Sequence, residues 1–119
     1  MEKRRIASFE NLLVWQKGIT LVKQVYLLTA EGKLHRDFGL CDQLQRAAVS
    51  IPTSIAEGYE RASRREYLQF LHIAKGSAGE VRSLLRVALE AGYLDQPRYN
   101  VLREAVLERV GIYRIKSAR

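Results

Sequence analysis

Apolar residues recur at steps of three and four along most of the chain, a spacing that predicts helices and no strands. Helix one is expected from about Glu10 to Thr29. It carries two neighbouring apolar seams: Leu12, Trp15, Ile19, Val22, Tyr26 and Thr29, then Val14, Gly18, Leu21, Val25 and Leu28. Together the seams form an apolar face wider than one packing partner requires, so we expect helix one to contact two neighbours.

Helix two is expected from about Phe38 to Tyr59, although its apolar pattern contains Pro52. A proline inside a helix removes one backbone donor and clashes with the carbonyl four residues earlier, at a cost of roughly 3 kcal/mol. We therefore expect a kink at Pro52. Ser50 or Ser54 stands in a suitable position to satisfy the carbonyls that the kink would free.

Helix three is expected from Ser63, its N-cap, to about Ala91, with Gly92 as the stop. Ser63 and Glu66 have the spacing of a capping box. The middle of this helix, residues 74–79, is made of unusually small residues and Lys75, which would let a neighbouring backbone approach closely. Helix four should begin after Asp95, with Pro97 in its first turn, and include Val110 and Tyr113.

The pattern predicts an all-α, up-down antiparallel four-helix bundle that forms one domain over residues 8–119. Residues 1–7 are expected to form a flexible basic arm containing Lys3, Arg4 and Arg5, and the tail from Lys116 to Arg119 should fray. Cys41 is the only cysteine, and neither a signal peptide nor a membrane span is predicted. These features favour a cytoplasmic protein.

The chain is basic, with a formal net charge of +7 and a pI of about 9.9. Such a balance favours polyanionic partners, and RNA or DNA is the first candidate. The candidate nucleic-acid-binding residues are a cluster at the start of helix three and a stripe along its polar face: Arg61, Arg64 and Arg65, then His72, Lys75, Arg82 and Arg86.

Two interpretations of the cluster remain open. The guanidinium groups and the free backbone donors of the helix N-terminus would together bind a phosphate. Alternatively, Glu60 and Glu66 neutralise the arginines in a solvated loop. Trp15, Phe70 and most tyrosines fit the core seams, so we expect no exposed aromatic residues for base stacking. Binding should then tolerate any sequence and weaken with salt.

Residue patterns typical of catalysis are missing from the sequence. His72 has no glutamate three residues before it, as a di-metal bundle site would require, and neither a nucleophile motif nor a phosphate loop is present. We therefore expect a protein that is not an enzyme and that binds no metal or cofactor. The polar residues Arg46, Glu57 and Glu80 are interpreted as a structural network that sets helix register or joins subunits.

Four short motifs stand out in the middle of the chain: Ser50-Ile51-Pro52, Ile55-Ala56-Glu57-Gly58, Ser63-x-x-Glu66 and Gly76-Ser77-x-x-Glu80. Through these motifs the chain resembles the four-helix-bundle proteins encoded in intervening sequences of bacterial 23S ribosomal RNA genes, although Ser54 departs from the asparagine of many relatives. The resemblance implies a ring-shaped homopentamer related to the accessory proteins of diversity-generating retroelements, which bind nucleic acid. The functional hypothesis is a homo-oligomer that binds nucleic acid; the alternative is a protein-interaction adaptor without a nucleic-acid ligand.

Overall fold

The computed structural model of the protein describes residues 8–109, and every element within them is helical. Four α-helices follow one another through short connections: α1 (Leu13–Thr29), α2 (Phe38–Glu60), α3 (Arg64–Glu90) and α4 (Gln96–Glu104). A π-helical turn, Ala105–Arg109, continues α4. The predicted all-α four-helix bundle is confirmed. The predicted basic arm of residues 1–7, the tail from Lys116 to Arg119, and Val110 and Tyr113 lie outside the described residues.

The first helix begins later than its apolar pattern predicts. Phe9–Asn11 forms a separate 3-10 turn, and Leu12 is extended with φ −75° and ψ 127° before α1 starts at Leu13. The turn folds back on the helix, because the Phe9 ring meets the edge of Trp15 at 5.3 Å between ring centres. The side chain of Gln16 also donates to the Glu10 carbonyl at 2.9 Å. Within the turn the backbone makes 3-10 hydrogen bonds, from Asn11 to the Ser8 carbonyl at 3.1 Å and from Leu12 to the Phe9 carbonyl at 2.9 Å.

Helix α2 continues through Pro52, and the proline ring is buried. A Cβ built at Gly18 of α1 would lie 3.4 Å from the Pro52 Cβ and 3.5 Å from Ile51 Cγ2. The ring therefore packs closely on the backbone of α1 at a residue that has no side chain. We infer that this packing offsets part of the cost of the proline.

The core lies along the line where α2 packs between α1 and α3. It contains one of the two α1 seams and the buried faces of α2 and α3. Its fully buried large side chains are Leu34, Leu44, Ile51, Ile55, Leu85, Val25, Val81 and Val106. Most of the other α1 seam stays at the surface: Ile19 and Tyr26 are exposed, Trp15 and Val22 are half-buried, and Thr29 at the end of the helix is buried. The chain described by residues 8–109 thus covers only one side of the wide apolar face of α1.

The predicted starts of α3 and α4 are confirmed by their N-caps. Ser63 Oγ accepts a hydrogen bond from the Glu66 backbone nitrogen at 3.1 Å, and Asp95 Oδ1 accepts one from Arg98 at 2.9 Å. After α3 the chain turns at Gly92, whose φ of 80° is in the left-handed region that glycine adopts without strain. No helix within residues 8–109 is long and apolar enough to cross a membrane.

Candidate nucleic-acid interface

The basic cluster predicted at the start of α3 lies on the short connection between α2 and α3. Helix α2 ends at Glu60, Arg61 is extended with φ −75° and ψ 156°, and Ser63 caps α3. Arg64 and Arg65 are the first two residues of α3. The capping hydroxyl of Ser63 thus determines where α3 starts and places these two arginines in its first turn.

Arg61 is occupied by contacts within the chain. Its guanidinium lies 3.0 Å from the Glu57 carboxylate and 3.7 Å from that of Glu66, and its Cζ stands 5.1 Å from the centre of the Phe70 ring. Arg61 is therefore neutralised by carboxylates of the chain, as the second interpretation predicts. Its nearer partner is Glu57, whereas Glu60 was the expected one, and Glu66 is the other. This arginine ties the end of α2 to the first turns of α3.

Arg64 and Arg65 differ from Arg61 in their surroundings. Both side chains are exposed, and neither forms an ion pair within residues 8–109. The backbone nitrogens of Glu66 and Tyr67 are already bonded to the Ser63 hydroxyl and carbonyl. The start of α3 therefore offers two accessible cations, but fewer backbone donors than the predicted phosphate site assumed.

The predicted basic stripe of α3 is not an open row of cations. His72, Lys75 and Arg82 are half-buried, and Lys75 and Arg82 already have interactions within the chain. Arg86 is exposed, but its Nε lies 2.8 Å from the Glu90 carboxylate. Hydrogen bonds to Glu90 and to Tyr99 of α4 raise the pKa of Arg86. This face of α3 is thus partly used for contacts within the bundle.

The predicted network residues Arg46, Glu57 and Glu80 are not paired with one another in the single chain. Arg46 Nε lies 2.9 Å from Asp42 on the preceding turn of α2, and Glu57 binds Arg61. The Arg46 side chain is 79% exposed, and Glu80 is exposed on α3. In the middle of the two helices, a hydrogen bond of 2.7 Å between the hydroxyls of Ser50 and Ser77 joins α2 to α3. Ser50 was expected to bond carbonyls near Pro52 instead.

The expectation of no exposed aromatic residues is wrong. Phe38 is 76% exposed and Tyr26 is 48% exposed, and both line a cleft of about 360 Å³ between the end of α1 and the start of α2. The exposure of Phe38 was readable in the sequence, because it follows the capping residue Asp37 and does not fall on the apolar seam of α2. Tyr26 fits an apolar seam of α1 and is nevertheless exposed, because the chain leaves most of that seam open.

Among the described residues, no group of three or more His, Cys, Asp or Glu side chains is placed to hold a metal ion. Cys41 is buried, and burial, with a smaller effect of Asp37, raises the pKa of its thiol. Its Sγ lies 3.0 Å from the Leu34 carbonyl oxygen, to which the thiol donates. A thiol with a raised pKa is a poor nucleophile, so the surroundings of Cys41 fit a residue of the core.

Comparison with known proteins places the chain in a family. No curated protein matches the sequence. A solved structure from Bacteroides thetaiotaomicron, a protein with unknown function from the S23 ribosomal protein family, is similar in fold. It is 22% identical, with a TM-score of 0.75 over 87% of this chain and 99% of that chain. The family model of the 23S rRNA-intervening sequence protein matches residues 10–112. The chain therefore belongs to the family of 23S rRNA-intervening sequence proteins.

Proposed function

We propose that the protein is a non-catalytic homo-oligomer that binds RNA or DNA through its basic surface without strong sequence preference. The observation that carries the proposal is the pair of exposed cations, Arg64 and Arg65, in the first turn of α3. Cations there are unfavourable for the helix, because the helix dipole is positive at its N-terminus. An anionic ligand would remove this penalty, and a phosphate backbone supplies such charges in a row.

The overall charge and the family support the same ligand. The net charge of +7 would attract a polyanion over distances longer than a direct contact. The family takes its name from intervening sequences of 23S rRNA, which also favours a nucleic acid as the partner of this chain. Contacts to phosphate alone carry no sequence information, which is why we propose binding that tolerates any sequence.

The oligomer is proposed because two different surfaces of the chain expose apolar residues. One is a groove between α1 and α2 of about 320 Å³, lined by Phe9, Trp15, Ile19, Val22 and Val49, among others. The other is the outer face of α3, where Ile73 and Val87 are exposed and a Cβ at Gly76 would meet nothing within 4 Å. Contact between two different patches of identical subunits closes into a ring when the rotation allows. The subunit number of five comes from the resemblance alone.

A salt series tests nucleic-acid binding. Labelled RNA and duplex DNA are titrated with the protein at rising salt, and we expect an affinity that falls linearly on a log–log plot. Lack of retention of either polymer at low salt would refute the proposed ligand. Solution mass measured with and without nuclease reports the oligomer and any bound polynucleotide in the same experiment.

A charge-matched pair of variants tests the start of α3. Arg65→Ala removes one exposed cation of the cluster, whereas Arg103→Ala removes one exposed cation of α4. We expect Arg65→Ala to weaken binding at every sequence and to reduce the salt slope by about 1. Equal effects of the two variants would show that only net charge matters, and the assignment to Arg64 and Arg65 would be abandoned.

The second candidate is a protein-interaction adaptor, which the open apolar groove of α1 and α2 favours. In that case the groove receives a helix of another protein through its apolar face. The two candidates differ in their response to nuclease. An adaptor keeps its protein partner after nuclease treatment. A nucleic-acid-binding protein releases any protein that is attached to it only through RNA or DNA.

A further inference from the structure

We propose that the cleft between the end of α1 and the start of α2 binds a nucleobase of a single-stranded nucleic acid. This inference rests on the proposed function, because it takes nucleic acid to be the ligand, and it specifies the form of that ligand. The cleft holds about 360 Å³, within the usual size of small-ligand pockets. Its lining includes Tyr26, Thr29, His35, Phe38, Asp42 and Gln45.

The two aromatic side chains are the first reason for this ligand. Phe38 is the most exposed large apolar residue among the described residues. It stands at the first position of α2, where packing within the chain does not require an aromatic ring. Aromatic rings at the surface of nucleic-acid-binding proteins stack on bases, and every base offers a face for stacking. Tyr26, on the last turns of α1, lines the same cleft.

The polar groups at the cleft are oriented by hydrogen bonds that leave specific atoms available. The His35 Nδ1 atom lies 3.0 Å from the Thr29 carbonyl oxygen. A carbonyl only accepts, so Nδ1 carries the proton, and in the neutral ring Nε2 is an acceptor. The exposed ring thus presents one defined nitrogen to a ligand.

Gln45 is oriented by the same reasoning. The Thr29 hydroxyl has one proton, which it donates to the carbonyl of Val25 at 3.0 Å or of Tyr26 at 3.2 Å. The Thr29 hydroxyl oxygen must therefore accept the hydrogen bond that joins it to Gln45 at 3.0 Å. It follows that the side-chain nitrogen of Gln45, and not its oxygen, faces Thr29. The Gln45 carbonyl oxygen and the second N–H remain for a ligand. Amide and imidazole groups with both donors and acceptors match the edges of nucleobases.

The charges near the cleft are compatible with a nucleic-acid backbone. Lys33 and Arg36 are exposed in the connection that also carries His35, one of the lining residues. The exposed acidic residue of the same connection, Glu31, is paired with Arg98 at 2.7 Å. The one acidic residue of its lining, Asp42, is already paired with Arg46 at 2.9 Å. A phosphate next to a base bound in the cleft would thus meet a neutralised carboxylate, and the connection that carries His35 has two exposed cations.

The strand must be single. A base inside a duplex is stacked on its neighbours and cannot enter a concave pocket without being extruded. The cleft also lies at the opposite end of α2 from Arg64 and Arg65, and the 23 residues of α2 span about 34 Å. The two sites can therefore be tested independently of each other.

The test compares three labelled ligands of equal phosphate number: a mixed-sequence single strand, an abasic single strand and a duplex. Fluorescence anisotropy measures their affinity for the full chain and for two variants. Phe38→Ala removes the most exposed ring of the cleft, and Val101→Ala removes a control side chain that is 62% exposed on α4. Because both side chains lie at the surface, both variants should fold, and circular dichroism checks this.

We expect the protein to prefer the single strand over the abasic strand. Phe38→Ala should weaken binding of the single strand about 5-fold to 150-fold, the range that stacking on one base gives. It should leave the abasic strand and the duplex unchanged, and Val101→Ala should change none of the three.

Two results would overturn the inference. If the single and abasic strands bind equally and Phe38→Ala has no effect, the cleft does not bind bases, while the proposed function stands. If none of the three ligands binds at low salt, the inference and the proposed function fail together. A Phe38→Trp variant that retains the preference for bases would support stacking over a merely structural role.

Discussion

Gly58 of α2 lies directly against Phe70 of α3. A Cβ built at Gly58 would stand 2.5 Å from the Phe70 Cβ and 3.3 Å from the Tyr67 carbonyl oxygen. Both obstacles are close to the backbone of α3 and cannot move away by a change of rotamer. The two helices thus approach each other at this glycine, just before the connection that carries Arg61, Arg64 and Arg65.

Gly58→Ala should therefore destabilise the protein. We expect a loss of about 1–3 kcal/mol in the free energy of unfolding, the usual cost of forcing extra atoms into a packed contact. Chemical denaturation measures it. Gly76→Ala is the control, because its Cβ would meet nothing within the chain and alanine favours helix by up to about 1 kcal/mol. Equal stability of the two variants would contradict the close approach at Gly58.

The hydrogen bond between Ser50 and Ser77 should stabilise the packing of α2 on α3. We expect Ser77→Ala to lower the free energy of unfolding by about 0.5–1.5 kcal/mol, because it removes the half-buried hydrogen bond in which the two hydroxyl oxygens lie 2.7 Å apart. A double-mutant cycle with Ser50→Ala isolates the interaction. If the two single changes simply add in the double variant, the hydroxyls are not coupled.

The N-cap of α3 should affect both stability and the basic cluster. Ser63→Ala removes the acceptor for the Glu66 nitrogen and should cost about 0.5–2 kcal/mol. Ser63→Asp retains an acceptor and is the matched control. Thermal unfolding followed by circular dichroism compares them. A melting temperature of Ser63→Ala equal to that of the native protein would show that the cap is dispensable.

The ion pair between Glu31 and Arg98 should make stability depend on pH. Arg98 binds the carboxylate at 2.7 Å and lowers the pKa of Glu31. A lowered pKa in the folded state means that the stabilisation is complete above the unfolded pKa and is lost as pH falls through the folded pKa. Glu31→Gln should thus lower the melting temperature slightly near neutral pH, and the difference should vanish in acid. A difference that is independent of pH would contradict this. The pair is exposed, so the effect is small.

Arg46→Ala separates a role within one chain from a role between chains. Its only ion pair in the described chain is the exposed one with Asp42, so we expect the stability of an isolated subunit to change by less than about 0.5 kcal/mol. If Arg46 joins subunits as proposed, the solution mass should fall in this variant. Asp42→Ala is the control, because it breaks the same pair and leaves the arginine. An unchanged mass for Arg46→Ala would exclude the role between subunits.

The sequence alone determined the four helices and three of their starts. These features depend on local chemistry: the capping side chains of Ser63 and Asp95, the stop at Gly92 and the period of the apolar residues. Phe38 starts α2 as predicted for the same reason, because Asp37 caps it through the Leu40 nitrogen. Local interactions connect residues that are close in sequence, so a single sequence contains them.

Only the tertiary structure decided which cations are available and which faces are covered. Seven basic residues form one candidate set in the sequence, yet Arg61 is held by Glu57 and Phe70, and Lys75 and Arg82 interact within the chain. The period of α1 likewise identified two seams but not the one that would stay open with Tyr26 exposed. Pairing and exposure depend on side chains that meet across helices, and the spacing within one helix contains no information about the neighbour that packs on it.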